Sequence, residues 1–208
     1  MFRLRRALVA GCAGWLGLRA WAALRPTAFP HFGWPILDIP RPLITCRRLL
    51  EILDPVAGER MLEVGPGTGY YTLPVAARLE PAGTLEILDV RRGFLDQTVR
   101  RAHGRGLTNV VPMLGDASLL PYPSGCFDAA YLVTVLGEIP DPDAALGEMR
   151  RVLKPAGRLV VGEILIDPDF TTLSWLVNHA RATGLRLERR TGRPVGYFAR
   201  FTEEASAG

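Results

Sequence analysis

Three glycines and one acidic residue have the types and the spacing that a small-molecule site would need. Gly65, Gly67 and Gly69 alternate with other residues directly after the apolar run Met61–Val64. Glycine lets the backbone approach a ligand because no Cβ stands in the way, and the start of a following helix offers N–H groups to a polar ligand. Asp89 ends the next apolar run, where a carboxylate can accept ribose hydroxyls. This pattern predicts a nucleoside site at the ends of two strands.

The spacing of the glycines separates two classes of nucleoside site. The dinucleotide fingerprint G-x-G-x-x-G would place its third glycine at position 70, where the sequence has Tyr70. The sequence reads G-x-G-x-G instead. An NAD-dependent reductase is therefore the less favoured alternative.

The segment Glu63–Gly69 resembles the first motif of the class I S-adenosylmethionine (SAM) dependent methyltransferases, and later motifs follow in order between Leu50 and Ile166. The later segments that match are Asp89, the "GDA" at Gly115–Ala117, the "FD" strand at Phe127–Tyr131, and an "LKPGG"-like turn within Arg151–Leu159. In that turn Ala156 replaces a glycine. The chain looks most like the branch that includes the ubiquinone and menaquinone C-methyltransferases.

The resemblance implies SAM as the cofactor and a role for each matching residue. In that family the acid at Glu63 orients the glycine loop near the methionine end of SAM, the acid at Asp89 binds the ribose, and the acid at Asp116 faces the adenine amino group. The cofactor-binding residues implied are Glu63, Gly65, Pro66, Gly67, Gly69, Tyr70, Asp89, Val90, Gly115, Asp116, Ala117 and Thr134. Glu138 follows the fourth strand, where the family places its substrate, and is the candidate catalytic residue; a solvated loop acid is the alternative.

Methyl transfer from a sulfonium mainly requires alignment of the reactants and exclusion of water. No catalytic triad is therefore expected. The segment Val133–Asp141 lacks the N-P-P-[YF] motif of many nucleic-acid and protein amino methyltransferases. The expected acceptor is a small, lipophilic molecule. The alternative from another class is a non-catalytic SAM-fold protein that binds or assembles a partner at a membrane.

The charge distribution divides the chain into two parts. Residues 1–37 carry five arginines and no acid, so the remainder has 20 basic and 21 acidic residues. A near-neutral domain without a basic face argues against a nucleic-acid partner. The three cysteines and three histidines show no paired or ligand spacing, so we expect neither a disulfide framework nor a metal site.

The sequence predicts three regions. Residues 1–25 are an apolar, basic leader or membrane anchor, residues 26–57 are a connector with an N-terminal helix, and residues 58–208 are the methyltransferase domain. An anchor would place the protein inside the cell at a membrane. The alternatives are an exported or organellar targeting peptide, a soluble cytoplasmic or mitochondrial protein, and a leader without a role. The oligomeric state stays open.

Alternating strand and helix patterns predict an α/β fold with a Rossmann-like, doubly wound sheet, mostly parallel with an antiparallel last strand. The predicted strands are Met61–Val64, Thr84–Val90, Asn109–Leu114, Phe127–Val133, Arg158–Leu165, Leu185–Arg190 and Val195–Phe201. The predicted helices are Arg41–Leu53, Thr72–Leu79, Gly93–His103, Asp141–Leu153 and Phe170–Thr183. Ligands bind such folds outside the carboxyl ends of the strands, where the glycine loop, Asp89 and Asp116 would meet.

Overall fold

A computed structural model of the protein describes residues 43–204. Within this range the strands are β1 (Arg60–Val64), β2 (Thr84–Asp89), β3 (Val110–Leu114), β4 (Phe127–Val133), β5 (Leu153–Ile164), β6 (Leu185–Arg193) and β7 (Gly196–Glu203). The helices are α1 (Cys46–Leu53), α2 (Thr72–Leu79), α3 (Arg92–His103), α4 (Pro142–Val152) and α5 (Leu173–Ala182), and a short 3₁₀ helix spans Leu136–Glu138. The predicted leader, residues 1–25, lies outside the described residues.

The strands form one sheet of order β3-β2-β1-β4-β5-β7-β6. Strands β1 to β5 pair in parallel, whereas β7 runs antiparallel to both β5 and β6. The strand order reverses between β1 and β4, and this switch point opens a crevice at the carboxyl ends of the strands. The predicted fold class is confirmed.

Each face of the sheet is covered by helices, as expected for parallel strands with crossover connections. On one face Leu132 and Tyr197 pack with Leu146 of α4 and Leu176 of α5. On the other face α1, α2 and α3 cover residues such as Ile87 and Phe198. Helix α1 contributes Leu49, Ile52 and Leu53 to this second core. The N-terminal helix is therefore packed on the sheet.

Several predicted element boundaries differ from the structure, and three of the differences have a clear physical cause. Helix α1 begins at Cys46 rather than Arg41, because the Thr45 hydroxyl accepts a hydrogen bond from the backbone N–H of Arg48 and caps the helix there. Thr172 caps α5 in the same way, so this helix begins at Leu173 and not at Phe170. Strand β5 begins five residues earlier than Arg158, because Leu153 pairs with Phe127 ahead of a bulge.

A buried arginine ties the end of α1 to the sheet. The Arg158 guanidinium donates hydrogen bonds to both carboxylate oxygens of Glu59, at 2.7 and 2.8 Å, and to the backbone carbonyls of Leu53 and Asp54. A bidentate pair with further carbonyl acceptors satisfies most of the guanidinium donors. This contact fixes the loop that leads from α1 into β1.

None of the helices in residues 43–204 is long and apolar enough to cross a membrane.

Candidate cofactor and acceptor site

A cleft with a volume of about 290 Å³ opens at the carboxyl ends of β1, β2 and β4. Most of the residues predicted to bind the cofactor line it, namely Gly65, Pro66, Gly67, Tyr70, Asp89, Val90, Gly115, Asp116, Ala117 and Thr134. Glu138 lines it as well. Glu63 and Gly69 lie outside the lining. The structure thus brings motifs from four separate parts of the sequence to one cavity.

The three glycines of the loop all have positive φ angles of 70°, 55° and 87°, in the left-handed region where side chains are strained. The space around Gly65 is also restricted, since a Cβ there would lie 2.4 Å from Cγ2 of Val135. The backbone N–H of Gly65 donates to the carbonyl of Leu88 at 2.8 Å. Glycine is therefore required at position 65 for both conformation and space, and the loop backbone itself forms the floor of the cleft.

Helix α3 supports the glycine loop from behind. The buried Thr98 donates its hydroxyl hydrogen to the carbonyl of Gly67 at 3.1 Å, and Nη1 of Arg101 donates to the carbonyl of Thr68 at 2.8 Å. Both contacts use backbone carbonyls of the loop as acceptors. The loop is therefore held in shape before any ligand binds. The sequence reasoning missed both residues, because helical spacing gives no sign of the loop that a side chain contacts.

Glu63 lies behind the glycine loop inside the sheet, where it is 3% exposed. Burial raises the pKa of this carboxyl to about 7, although the hydroxyl of Thr72 donates a hydrogen bond to Oε2 at 2.5 Å. The charges of Glu63 and Asp89 also repel each other and raise this pKa further. Glu63 therefore joins the first turn of α2 to β1, directly beneath the loop. This location is compatible with the predicted orienting role.

Asp89 stands at the end of β2, with its carboxylate at the edge of the cleft. Burial raises its pKa, whereas the backbone N–H of Arg91, which donates to Oδ1 at 2.9 Å, lowers it. The Arg91 guanidinium also lines the cleft and lies over the Phe94 ring, 5.6 Å from its centroid. A carboxylate held by its own backbone at this point can accept two vicinal hydroxyl groups.

Asp116 and Ala117 close the cleft on the side of β3. The Asp116 side chain is exposed, and its Oδ1 accepts the backbone N–H of Ser118 at 2.8 Å in an Asx turn. Gly115 is joined to β2 through its N–H, which donates to the carbonyl of Asp89. These contacts place the "GDA" segment beside the carboxylate of Asp89, so the two acids share one end of the cleft.

The part of the cleft lining that follows β4 is mostly apolar. We call Val135, Glu138, Ile139 and Pro140 the acceptor wall; all four line the cleft. Just before them Thr134 adopts a φ of 55°, which is uncommon for a residue with a β-branched side chain. Such strained residues concentrate at functional sites. Glu138, at the end of the 3₁₀ helix, is the acidic member of this wall and is half-buried.

A second buried acid lies next to the acceptor wall. Glu163 on β5 is 1% exposed, and burial together with the charges of Asp167, Glu138 and Asp169 raises its pKa well above the ordinary value. Its Oε2 accepts only a long hydrogen bond of 3.3 Å from the backbone of Thr171. Burial thus favours the uncharged form of the Glu163 carboxyl. The sequence reasoning did not single it out, because it stands inside an apolar strand that gives no sign of its neighbours.

Two tyrosines complete the cleft on the side of α1. The rings of Tyr70 and Tyr71 meet edge to face, with their centroids 4.9 Å apart. The hydroxyl of Tyr71 donates to the carbonyl of Ile44 at 2.6 Å, and the thiol of Cys46 donates to the carbonyl of Tyr70. The N-terminal side of α1 therefore helps to position one wall of the cleft.

Among residues 43–204 no group of His, Cys, Asp and Glu side chains could hold a metal ion.

Comparison with known proteins agrees with this geometry. Residues 62–161 match the family described as "Methyltransferase domain". Aklanonic acid methyltransferase DauC of Streptomyces sp. (strain C5) is 34% identical over 138 residues, which are 61% of this chain and 61% of that protein. The ubiquinone/menaquinone biosynthesis C-methyltransferase UbiE of Teredinibacter turnerae is 36% identical over 115 residues, 55% of this chain and 46% of that protein.

A solved structure extends the comparison to the fold. The crystal structure of a SAM dependent methyltransferase from Aquifex aeolicus superposes with a TM-score of 0.75 at 19% identity, covering 84% of this chain and 98% of that one. The chain spans about half the length of the curated relatives it matches.

Residues 62–161 thus match a methyltransferase domain, and the chain is similar to the class I SAM-dependent methyltransferases. It is similar within that class to the ubiquinone and menaquinone C-methyltransferases. The predicted family and the predicted cofactor, SAM, are confirmed. The cleft also fits this cofactor on its own geometry, because the Gly65 position has no room for a Cβ and a carboxylate stands at the end of β2. The individual residue roles and the region boundaries stay predictions.

Proposed function

We propose that the protein transfers a methyl group from SAM to a small, lipophilic acceptor. The observation that carries this proposal is the lining of the cleft. Asp89 and Asp116 supply the polar groups that an adenosine requires, whereas the acceptor wall after β4 is apolar apart from Glu138. Ligand sites typically combine a mostly apolar lining with a few polar groups that fix orientation.

SAM supplies an activated methyl group on a sulfonium when it is bound. The residues of this chain would then mainly bind and orient the reactants. The glycine loop would fix the methionine portion through its backbone, Asp89 would accept the ribose hydroxyls, and Val90 and Ala117 would enclose the adenine. Val135, Ile139 and Pro140 would exclude water from the acceptor, which strengthens alignment in an in-line displacement.

Glu138 is the candidate general base of this proposal. It would accept a proton only from an acceptor that carries one on the attacking atom, such as a hydroxyl. The charge of Glu138 contributes to the raised pKa of the buried Glu163, so the two carboxyls interact. A general base must be deprotonated to accept a proton. We therefore expect methyl transfer to a hydroxyl acceptor to fall at acidic pH.

The lipophilic character of the acceptor has two supports outside the cleft. One relative is named for aklanonic acid and the other for the biosynthesis of two quinones, ubiquinone and menaquinone. Residues 1–25 of this chain are apolar and basic, which would suit association with a membrane inside the cell. We propose such an association for the whole chain.

A direct test measures the release of S-adenosylhomocysteine from the purified full chain. The acceptors would be a quinol with a long isoprenoid tail, the same quinol without its tail, and a soluble polar phenol. We expect turnover that is higher for both quinols than for the phenol. Binding of SAM by calorimetry without turnover on any of them would favour the non-catalytic alternative. Equal turnover of the quinols and the phenol would contradict a lipophilic preference. Glu138→Gln should lower kcat while leaving SAM affinity unchanged.

A further inference from the structure

Three apolar side chains are exposed together beyond the carboxyl end of β5. Leu165 and Ile166 directly follow β5, and Val195 lies in the turn between β6 and β7; these side chains are 37%, 69% and 42% exposed. The backbone N–H of Leu165 donates to the carbonyl of Val195 at 2.9 Å, so the two segments are neighbours. We call these three residues the apolar rim.

The apolar rim lies at the carboxyl ends of the parallel strands, as the cleft does. Strands β4 and β5 run parallel, and Thr134 at the end of β4 donates its N–H to the carbonyl of Gly162 on β5. The chain then continues from Gly162 through Ile164 into the rim. The following loop packs closely on the acceptor wall, since a Cβ at Gly137 would overlap the carbonyl of Asp169. The rim therefore borders the acceptor side of the cleft.

Exposed basic side chains lie on the β-hairpin that carries part of the apolar rim. Arg190 and Arg193 lie exposed on the same β-hairpin as Val195. Arg48 of α1 donates to the carbonyl of Leu43, and Leu43 packs against Gly196, next to Val195. Two acids are also near, but Asp167 and Asp169 are half-buried, and the Asp167 carboxylate accepts the backbone N–H of Asp169. An apolar centre with arginines at its margin matches the interface of an anionic lipid bilayer.

The N-terminal 42 residues join the described part of the chain beside the rim. Leu43 is the first described residue, and it contacts Gly196 in the turn that carries Val195. The segment that precedes it holds five arginines within residues 1–37 and no acid there. The basic, apolar N-terminal segment therefore joins the rest of the chain next to the apolar rim. Both are positively charged, so both would be attracted to the same anionic partner.

We propose that the apolar rim, together with Arg190 and Arg193, contacts an anionic lipid bilayer and turns the acceptor side of the cleft toward it. A lipophilic acceptor would then enter the cleft from the bilayer without crossing water. That last step rests on the function proposed above, whereas contact of the rim with lipid requires neither cofactor nor turnover.

The test is the partition of the full chain onto phosphatidylcholine vesicles with and without phosphatidylglycerol, measured by co-sedimentation. The variants are Ile166→Asp and Val195→Asp. The matched control is Leu119→Asp, because Leu119 is 78% exposed but lies in the loop after β3, and strands β2, β1 and β4 separate β3 from β5 in the sheet. We expect binding that depends on phosphatidylglycerol, and the loss of one interfacial apolar side chain to weaken it about tenfold for each rim variant. The control should bind like the unchanged chain.

Amide hydrogen exchange with and without vesicles separates the rim from the N-terminal segment. We expect lipid to protect residues 164–167 and 193–196 and to leave residues 117–121 unprotected. Vesicle binding without protection of the rim would overturn the proposal, because residues 1–42 alone would then hold the chain. Equal partition of all three variants, or an absence of vesicle binding, would overturn it as well.

Two controls separate failure of the rim from failure of the proposed function. The rim variants should keep the SAM affinity of the unchanged chain, which shows that they are folded. A chain that partitions as expected but transfers no methyl group would contradict the proposed function and leave the rim proposal standing. A chain that methylates in detergent but ignores vesicles would do the reverse.

Discussion

Replacement of Glu63 by glutamine should make the stability of this protein less sensitive to pH. Glu63 is fully enclosed behind the glycine loop, and burial raises the pKa of its carboxyl from 4.5 to about 7. The folded chain thus holds a proton there that the unfolded chain releases at lower pH. Glutamine has nearly the same shape, can still hydrogen-bond to the Thr72 hydroxyl, and has no charge to bury.

The sign and the size of the effect follow from this shift. Well below pH 4.5 the carboxyl is protonated in both states and costs the folded state nothing. As the pH rises from 4.5 toward about 7, the unfolded chain ionises while the folded chain resists, so stability is progressively lost. A difference of about 2.5 pKa units at about 1.4 kcal/mol each corresponds to roughly 3 kcal/mol. At pH 8 the free energy of unfolding of the Glu63→Gln chain should therefore exceed that of the unchanged chain by roughly this amount.

Urea unfolding of both chains at pH 5, 6, 7 and 8 measures this difference. Other titrating groups, such as Glu163, are present in both chains and cancel when the two free energies of unfolding are subtracted. Glu59→Gln is a control of opposite sign: burial opposes ionisation there, but hydrogen bonds from Arg158 lower the Glu59 pKa. That stabilisation is present at neutral pH and is lost on acidification. The Glu59→Gln chain should therefore be less stable than the unchanged chain at pH 8. A stability difference for Glu63→Gln that stays constant from pH 5 to pH 8 would refute the reasoning.

Three further predictions concern the cleft. Gly65→Ala should weaken SAM binding at least about tenfold in calorimetry, because left-handed strain of about 1–2 kcal/mol adds to the clash with Val135; Val135→Ala should restore only part of the affinity, and full restoration would show that strain is unimportant. Asp89→Asn should weaken SAM about 10- to 100-fold through loss of a charged acceptor, whereas the exposed Asp96→Asn should not, and equal losses would remove Asp89 from the site. Arg101→Ala should raise the SAM Kd a few-fold by loosening the loop at Thr68, with the exposed Arg100→Ala on the same helix as the unaffected control.

The elements of this fold could be predicted from the sequence where their periodicity is strong. Buried parallel strands such as Met61–Val64 are short apolar runs, and each lies between turn residues that set its limits. The glycine loop and Asp89 could be predicted as a binding site because a nucleoside site requires particular residue types at the strand ends, and both line the cleft. The boundary of β5 was wrong for a physical reason: pairing of Leu153 with Phe127 across a bulge extends the strand into a proline- and glycine-containing turn. The proline and the glycine of this segment predict a turn there rather than a strand.

The contacts that support the site could not be predicted from the sequence. Arg158 reaches the carbonyl of Leu53 across 105 residues, and Arg101 reaches the carbonyl of Thr68 across 33. An arginine on a helix or strand has no local pattern that names its acceptor. The same applies to Glu163, whose raised pKa depends on carboxylates from two loops that only the tertiary fold brings together.

The glycine loop depends on support from both sides of the switch point. On the β2 side the Leu88 carbonyl and helix α3 hold the loop backbone, and on the β4 side Val135 fills the space that a side chain at Gly65 would need. Val135 also belongs to the acceptor wall. A change in the wall that accommodates a different acceptor would therefore alter the packing against the cofactor loop. Acceptor choice and cofactor affinity should consequently be coupled in this protein through Val135, while the rim beyond β5 is free to change without affecting SAM.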